Sequence, residues 1–402
     1  MNSNILLLAI ITYIVIITVG YLIDKYLRVP WMFTVIILSF VFSTFGLFQD
    51  TLHSENFQFL SKMGMLFFLF TIGVELELEK IKKLGGYIVA GSVLLTLIEG
   101  FALALFFYFV FPQFVSYSFI VALIAGVAFG TVGEVVLLAI LKEFGLVHTQ
   151  FGQLIMGIGV LDDIFEILAL AGVIALPAFI HNGAVISSWS TPVAILLTLL
   201  GLIMAVVILV FISRWFKTNL EKITEHSFIG PFLIFLIIFS LFYFSSTRFD
   251  GMGVVAAIFS GIVIQQALPI QLVERYKKPI YFLGNIFLGP FFFLSIGSNM
   301  SFEAILTYPL VIVAIIVISI AVRVIVSYLM FNKILGKRQA AVLGIGLCTK
   351  FSTSVVTENL LMTSGLIAAP LYSAIMAAFI LMKPIIIAIF SRNLSSIKGQ
   401  IK

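Results

Sequence analysis

Three carboxylates fall within five positions of an otherwise apolar run, Gly157-Ile-Gly-Val-Leu-Asp-Asp-Ile-Phe-Glu-Ile-Leu-Ala-Leu-Ala171. An ionisable side chain in a segment that crosses a bilayer costs at least about 2.5–3.5 kcal/mol, so it needs a reason to be there. On a helix, Asp162 and Asp163 point about 100° apart, while Glu166 lies three and four positions on, on the same general face. One carboxylate of the pair can therefore face a cavity while its neighbour bonds elsewhere. A carboxyl in that setting can hold a proton or a small cation and trade one for the other. The plainer reading is that the acids neutralise a buried Lys or Arg, and Glu166 fits either use equally.

Four cations also fall inside apolar segments: Lys62, Arg323, Lys350 and Lys383. Arg323 is always charged, and the carboxylate pair is its obvious partner. Lys350 lies in the polar run Cys348-Thr-Lys-Phe-Ser-Thr-Ser354, where it can balance an empty site or compete with an ion for an Asp. Glu99 is a further acid that can pair with Lys350 or Arg323. Glu134 follows Phe129-Gly-Thr-Val-Gly133 and reads as an ion ligand or an access-path residue. Thr131, between the two glycines, can lend a hydroxyl or carbonyl oxygen to an ion. Lys62 and Lys383 read as snorkelling or cavity-facing. The histidines His53, His148, His181 and His226 are unclustered and fall in expected loops, which argues against a resident metal centre. There is no nucleotide fingerprint, and a single cysteine, Cys348, allows no disulfide within the chain. Neither a cofactor nor enzymatic catalysis is expected.

The elements that must position these groups are membrane spans. The chain has 402 residues, 62% of them hydrophobic and 10% charged, against about 25% charged in a soluble domain. Thirteen segments are apolar and long enough to cross: 5–23, 31–48, 57–76, 86–112, 116–142, 151–178, 192–213, 227–245, 251–267, 280–298, 305–331, 338–364 and 368–391. The first is read as a span rather than a secretory leader, because it lacks a cationic start and a small-residue cleavage site. With the N-terminus outside, eighteen Lys and Arg fall in cytoplasmic segments and only Arg248 on the opposite side. That bias orients the chain, with a cytoplasmic C-terminus. The net charge of +5 is therefore a topology signal and not a nucleic-acid footprint.

Two stretches echo each other. Phe67-Phe-Leu-Phe-Thr-Ile-Gly73 matches Phe291-Phe-Phe-Leu-Ser-Ile-Gly297 at an offset of 224, which also pairs Glu79 with Glu303 and Glu99 with Arg323. Near that offset, Phe129-Gly-Thr-Val-Gly-Glu-Val-Val136 resembles Phe351-Ser-Thr-Ser-Val-Val356. The expected fold is an all-α polytopic membrane protein, residues 1–402 forming one transporter unit. It has a first six-helix repeat at 1–178, a connector helix within 179–226, and an inverted second repeat at 227–402. The fifth and twelfth spans are interrupted where Gly weakens the helix and Thr or Ser bonds the freed backbone. Corresponding broken helices in two inverted halves point to an ion site near the midplane.

The stretches at 159–171, 129–146, 68–85 and 347–361, together with Arg323, resemble the cation:proton antiporter superfamily, specifically the cation:proton antiporter-2 family of bacterial sodium/proton and potassium/proton exchangers. The resemblance covers nearly the whole chain, and its most specific part is the Asp-Asp pair in the sixth span. It implies two crossed, unwound helices in a core domain that moves like an elevator against a fixed dimerisation domain, in a homodimer of the bacterial cell membrane. It implies that Asp163 carries the ion, with Asp162 the neighbour found in electrogenic members, so that Na⁺ (or Li⁺) and protons compete for the pair. It further implies that Arg323 pairs with the aspartate site and that Thr131 belongs to the unwound helix. The chain departs from the family in carrying Lys350-Phe-Ser352 where many relatives have an Arg-Gly-Glu-like run, for which Glu99 is a substitute, and in carrying Glu166 where relatives are small or apolar. Alternatives are a K⁺/H⁺ exchanger and a sodium-coupled organic-anion symporter of similar fold. An intramembrane aspartyl protease would need two aspartates facing each other, and a passive channel would not need an inverted repeat around buried acids.

Overall fold

The structure, a computed structural model, describes residues 3–75, 85–175, 204, 252–267, 270–350 and 354–397. The expected seventh and eighth spans, the connector region 179–226 and Arg248 lie outside the described residues, except for position 204. So do the side chains of Glu134, Asp163 and Glu166. Among the described residues the secondary structure is helical.

Among the described residues, six helices are long and apolar enough to cross a membrane: Asn4–Leu27 (α1), Glu55–Glu75 (α3), Gly86–Val110 (α4), Val273–Ser298 (α9), Pro309–Leu335 (α10) and Ala369–Ser395, the greater part of Ala369–Ile397 (α13). Shorter helices lie between them: Trp31–Thr44 (α2), Phe119–Gly130 (α5), Glu134–Phe144 (α6), Met252–Ala267 (α8), Lys337–Gly346 (α11) and Ser354–Thr363 (α12). The helix that carries the acid pair is Gln150–Ala175 (α7). α1 leaves Leu6, Ile10, Ile14 and Ile17 bare along one stripe, a face suited to hydrocarbon and not to water. The chain is a multi-pass helical membrane protein.

Several boundaries differ from the sequence reading, and two of them have a plain local cause. The second span ends at Thr44 instead of 48 because Gly46 takes a left-handed φ of +71°, which stops a helix. The eleventh begins at Pro309 instead of 305. Residues preceding proline are disfavoured in the helical region, and Tyr308 has φ −119° and ψ 46°; a separate short helix, Phe302–Thr307, is capped by Ser301.

The chain divides into two compact units. One comprises Met1–Gln49, Glu79–Val173 and Ile296–Lys402, the other Asp50–Leu78 and Ile174–Ser295. In the second unit α3 lies directly on α8. A Cβ on Gly73 would run into the Ile258 carbonyl, and one on Gly261 into the Phe70 carbonyl. Phe68 and Phe293 meet edge to face at 5.3 Å.

In the first unit α4 and α5 cross backbone to backbone. A Cβ on Gly126 would overlap the Gly100 carbonyl oxygen, and one on Gly100 would come within 2.9 Å of the Val127 backbone. Without a hydrophobic drive between helices in lipid, such close approach is what holds them together. Gly126→Val should therefore cost roughly 2–3 kcal/mol by overpacking. Gly253, where a Cβ meets nothing within 4 Å, should accept Ala within about 0.5 kcal/mol. Thermal unfolding in detergent compares the two.

Connections assigned to one membrane face also touch one another in this unit. Arg28 bonds Glu143 at 2.6 Å and Ser391 at 3.3 Å, all at cytoplasmic ends by the charge count. Ser116 donates to the Leu366 carbonyl at 2.8 Å and Ala368 N–H to the Phe114 carbonyl at 2.9 Å, all assigned to the other face.

Candidate functional site

The site is built where two helices break. α5 stops at Gly130, Thr131 and Gly133 are extended, and α6 resumes at Glu134. The second break follows α11, and the helix resumes as α12 at Ser354. Backbone groups freed at membrane depth must find partners within the protein, and the two breaks supply each other's. Gly133 N–H donates to the Thr349 carbonyl at 2.7 Å. Lys350 Nζ donates to the Gly130 carbonyl at 2.8 Å, placing a cation at the C-terminal end of α5, where the helix dipole favours one. The hydroxyls of Thr131 and Ser354 share a 2.7 Å hydrogen bond. The interruptions read from the sequence around Thr131 and in the Cys348–Ser354 run are thus present, and they meet. Lys383, read as snorkelling or cavity-facing, is buried, and its Nζ donates to the Lys350 carbonyl at 3.0 Å.

A buried ionic network adjoins the breaks. Asp162 is the thirteenth residue of α7's 26, roughly 18 Å from its start and so near the middle of a ~30 Å hydrocarbon core. The hydroxyls of Ser92 and Thr96, one turn apart on α4, donate to its Oδ1 at 2.7 and 2.9 Å. Arg323 Nη1 and Nη2, from α10, both donate to its Oδ2 at 3.4 Å. Arg323 Nε donates to Glu99 Oε2 at 2.5 Å, and Lys350 Nζ donates to the same oxygen at 2.8 Å. Ser319 completes Glu99 through Oε1. Glu99, Asp162 and Arg323 have no exposed surface. Two carboxylates thus meet two cations, with the remaining oxygens hydrogen-bonded, the condition under which buried charge is tolerated.

The sequence-derived candidates divide accordingly. Thr131, Glu99, Asp162, Arg323 and Lys350 come together here. Arg323 lies closer to Glu99 than to the aspartate assigned as its partner, and Glu99 takes both cations. Asp163 follows Asp162 on α7, Glu166 lies a turn further on, and Glu134 is the first residue of α6. Lys62 is exposed.

Three participants were missed from the sequence, and one buried acid outside the network was missed with them. Ser92, Thr96 and Ser319 carry no charge, and a hydroxyl in a helix ordinarily bonds its own backbone. Glu358, on α12, is wholly buried, and neither carboxyl oxygen has a hydrogen-bond partner among the described residues. The signal for it was available, since it is an acid inside an apolar span.

A helical membrane protein with two broken helices joined over a buried ionic network belongs, by class, with the secondary ion transporters. The family "Sodium/hydrogen exchanger, transmembrane" matches residues 12–392, and the chain belongs to it; it is a cation:proton antiporter by family. An Na⁺/H⁺ antiporter of Enterococcus hirae is 22% identical over 83% of this chain and 84% of its own length. The Na⁺/H⁺-K⁺ antiporter GerN of Bacillus cereus is 23% identical over 82% of this chain and 81% of its own length. The solved sodium proton antiporter MjNhaP1 of Methanocaldococcus jannaschii superposes with a TM-score of 0.60 at 14% identity, covering 98% of each chain, so the two share a fold.

Proposed function

We propose that the chain exchanges Na⁺ (or Li⁺) for H⁺ across the cell membrane, with cation and proton competing for Asp163 beside Asp162. The observation that carries this reading is the meeting of the two helix breaks over the ionic network, in a chain of the exchanger family. With Arg323 and Lys350 engaged by Glu99 and Asp162, the reading gives Asp163 an exchangeable counter-charge. A proton or a small cation can fill that role in turn. Asp162 then serves as a fixed neighbour, oriented by Ser92, Thr96 and Arg323, and Thr131 lends an oxygen at the break.

The reading includes two inverted six-helix repeats and elevator motion of a core against a scaffold in a homodimer. Its support is that residues paired at the 224 offset touch: Glu99 bonds Arg323 at 2.5 Å, and the rings of Phe68 and Phe292 lie 6.3 Å apart. Equivalent residues of two repeats meet when both lie near the pseudo-two-fold axis. Each compact unit also draws segments from both halves of the chain.

Reconstituted protein should move protons when Na⁺ or Li⁺ is added to proteoliposomes holding a pH gradient. A response to K⁺ of equal size would favour the K⁺/H⁺ alternative, and K⁺ figures in the name of the Bacillus cereus relative. No response to any of the three would remove the reading.

A further inference from the structure

Building on the exchange reading above, we infer that Glu358 is a proton-relay residue, separate from the aspartate pair, that carries protons between the non-cytoplasmic face and the broken-helix site. Its side chain is fully buried, and both oxygens lack partners among the described residues. An ionised, unpaired carboxylate is very costly in such a place, whereas a neutral carboxyl is much less so. A resident structural acid would instead be expected to be hydrogen-bonded, since an unmet buried polar group costs about 1–3 kcal/mol. Glu358 therefore meets the cost of burial without the bonds that would give it a structural role.

Its position supplies the role. Glu358 is four residues after Ser354 on α12 and so lies on the same helix face, one turn away. Ser354 shares its hydroxyl hydrogen bond with Thr131 at the break. On its other side the next residue, Asn359, belongs to a polar cluster: its Oδ1 accepts from Asn299 Nδ2 at 3.2 Å and from Tyr372 Oη at 3.3 Å. Asn299 is partly exposed and sits at the loop end of α9, on the face assigned as non-cytoplasmic. Of the helices packed on α12, α5 carries no titratable residue, and α13 carries Tyr372. α13 also carries Lys383, which is bonded to the break backbone, and Arg392.

In the step proposed, the O–H bond of Glu358 breaks and its proton passes by way of the broken-helix site to the carboxylate that the cation leaves. A proton from the non-cytoplasmic side then restores Glu358, so no net charge stays on it. Run backwards, the same step releases a proton outward.

The test compares two transport modes of Glu358→Gln, an isostere of the protonated acid, in proteoliposomes. Isotopic Na⁺/Na⁺ counterflow needs no proton and should stay within about twofold of wild type. Na⁺-driven proton movement should fall roughly tenfold or more and lose its pH dependence, with partial recovery in Glu358→Asp. Unchanged proton movement with an unchanged pH profile would overturn the relay. So would an equal loss of both modes, which would mark Glu358 as structural. Wild-type counterflow without any proton movement would instead remove the exchange reading itself, and the relay with it.

Discussion

Asp163→Asn is expected to reduce Na⁺-driven proton movement to that of empty liposomes. The substitution keeps the shape of the side chain and removes its ability to take up or give up a proton. None of the bonds that Asp162 makes to Ser92, Thr96 and Arg323 is touched, so insertion and thermal stability in detergent should match wild type. Asp163→Glu restores the titrating group at a slightly longer reach and should keep part of the activity. Exchange in Asp163→Asn within about twofold of wild type, at any pH where wild type is active, would contradict the assignment of the carrier. On the proposed reading the effect is large because cation and proton compete at that one carboxylate.

Glu99→Ala should be the most damaging substitution to stability among the polar residues described. Among the described residues Glu99 is the one that bonds both Arg323 and Lys350, and all three are buried. Removing one partner of a buried ion pair costs about 3–5 kcal/mol, because the remaining charge is left uncompensated. Here two cations lose a ligand at once. Lys350 keeps the Gly130 carbonyl and Arg323 keeps Asp162, so the protein should still insert but should unfold at a much lower temperature in detergent. Removing Lys350 as well, in Glu99→Ala with Lys350→Met, should give back about 1–3 kcal/mol as non-additivity, since only one orphaned cation then remains. Strict additivity of the two substitutions would mean that the pair carries no coupling.

Much of the fold was legible in the residues because a bilayer imposes length, apolarity and charge asymmetry on each crossing. The two interruptions were legible because Gly130 and Gly133 flank Thr131, and because Cys348–Ser354 is polar inside an apolar span. The pairing of Glu99 with Arg323 was half-legible: the 224 offset linked them before their contact was seen. What the sequence withheld is tertiary. Nothing in the spacing says that Arg323 lies nearer Glu99 than Asp162, or that Lys383 turns inward onto the Lys350 carbonyl. Ser92, Thr96 and Ser319 became visible as ligands only once α4, α7 and α10 were set beside one another. The crossing at Gly100 and Gly126 was hidden for the same reason, since a glycine in an apolar helix shows its partner only in three dimensions.

Proton release on Na⁺ binding to the purified protein, in weakly buffered detergent solution across a pH series, tests the central claim most directly. If cation and proton compete for one carboxylate, Na⁺ must expel protons, and its apparent affinity must tighten by up to about tenfold per pH unit on the acid side of the site's titration. Na⁺ binding with no proton release, and with an affinity indifferent to pH, would contradict the account.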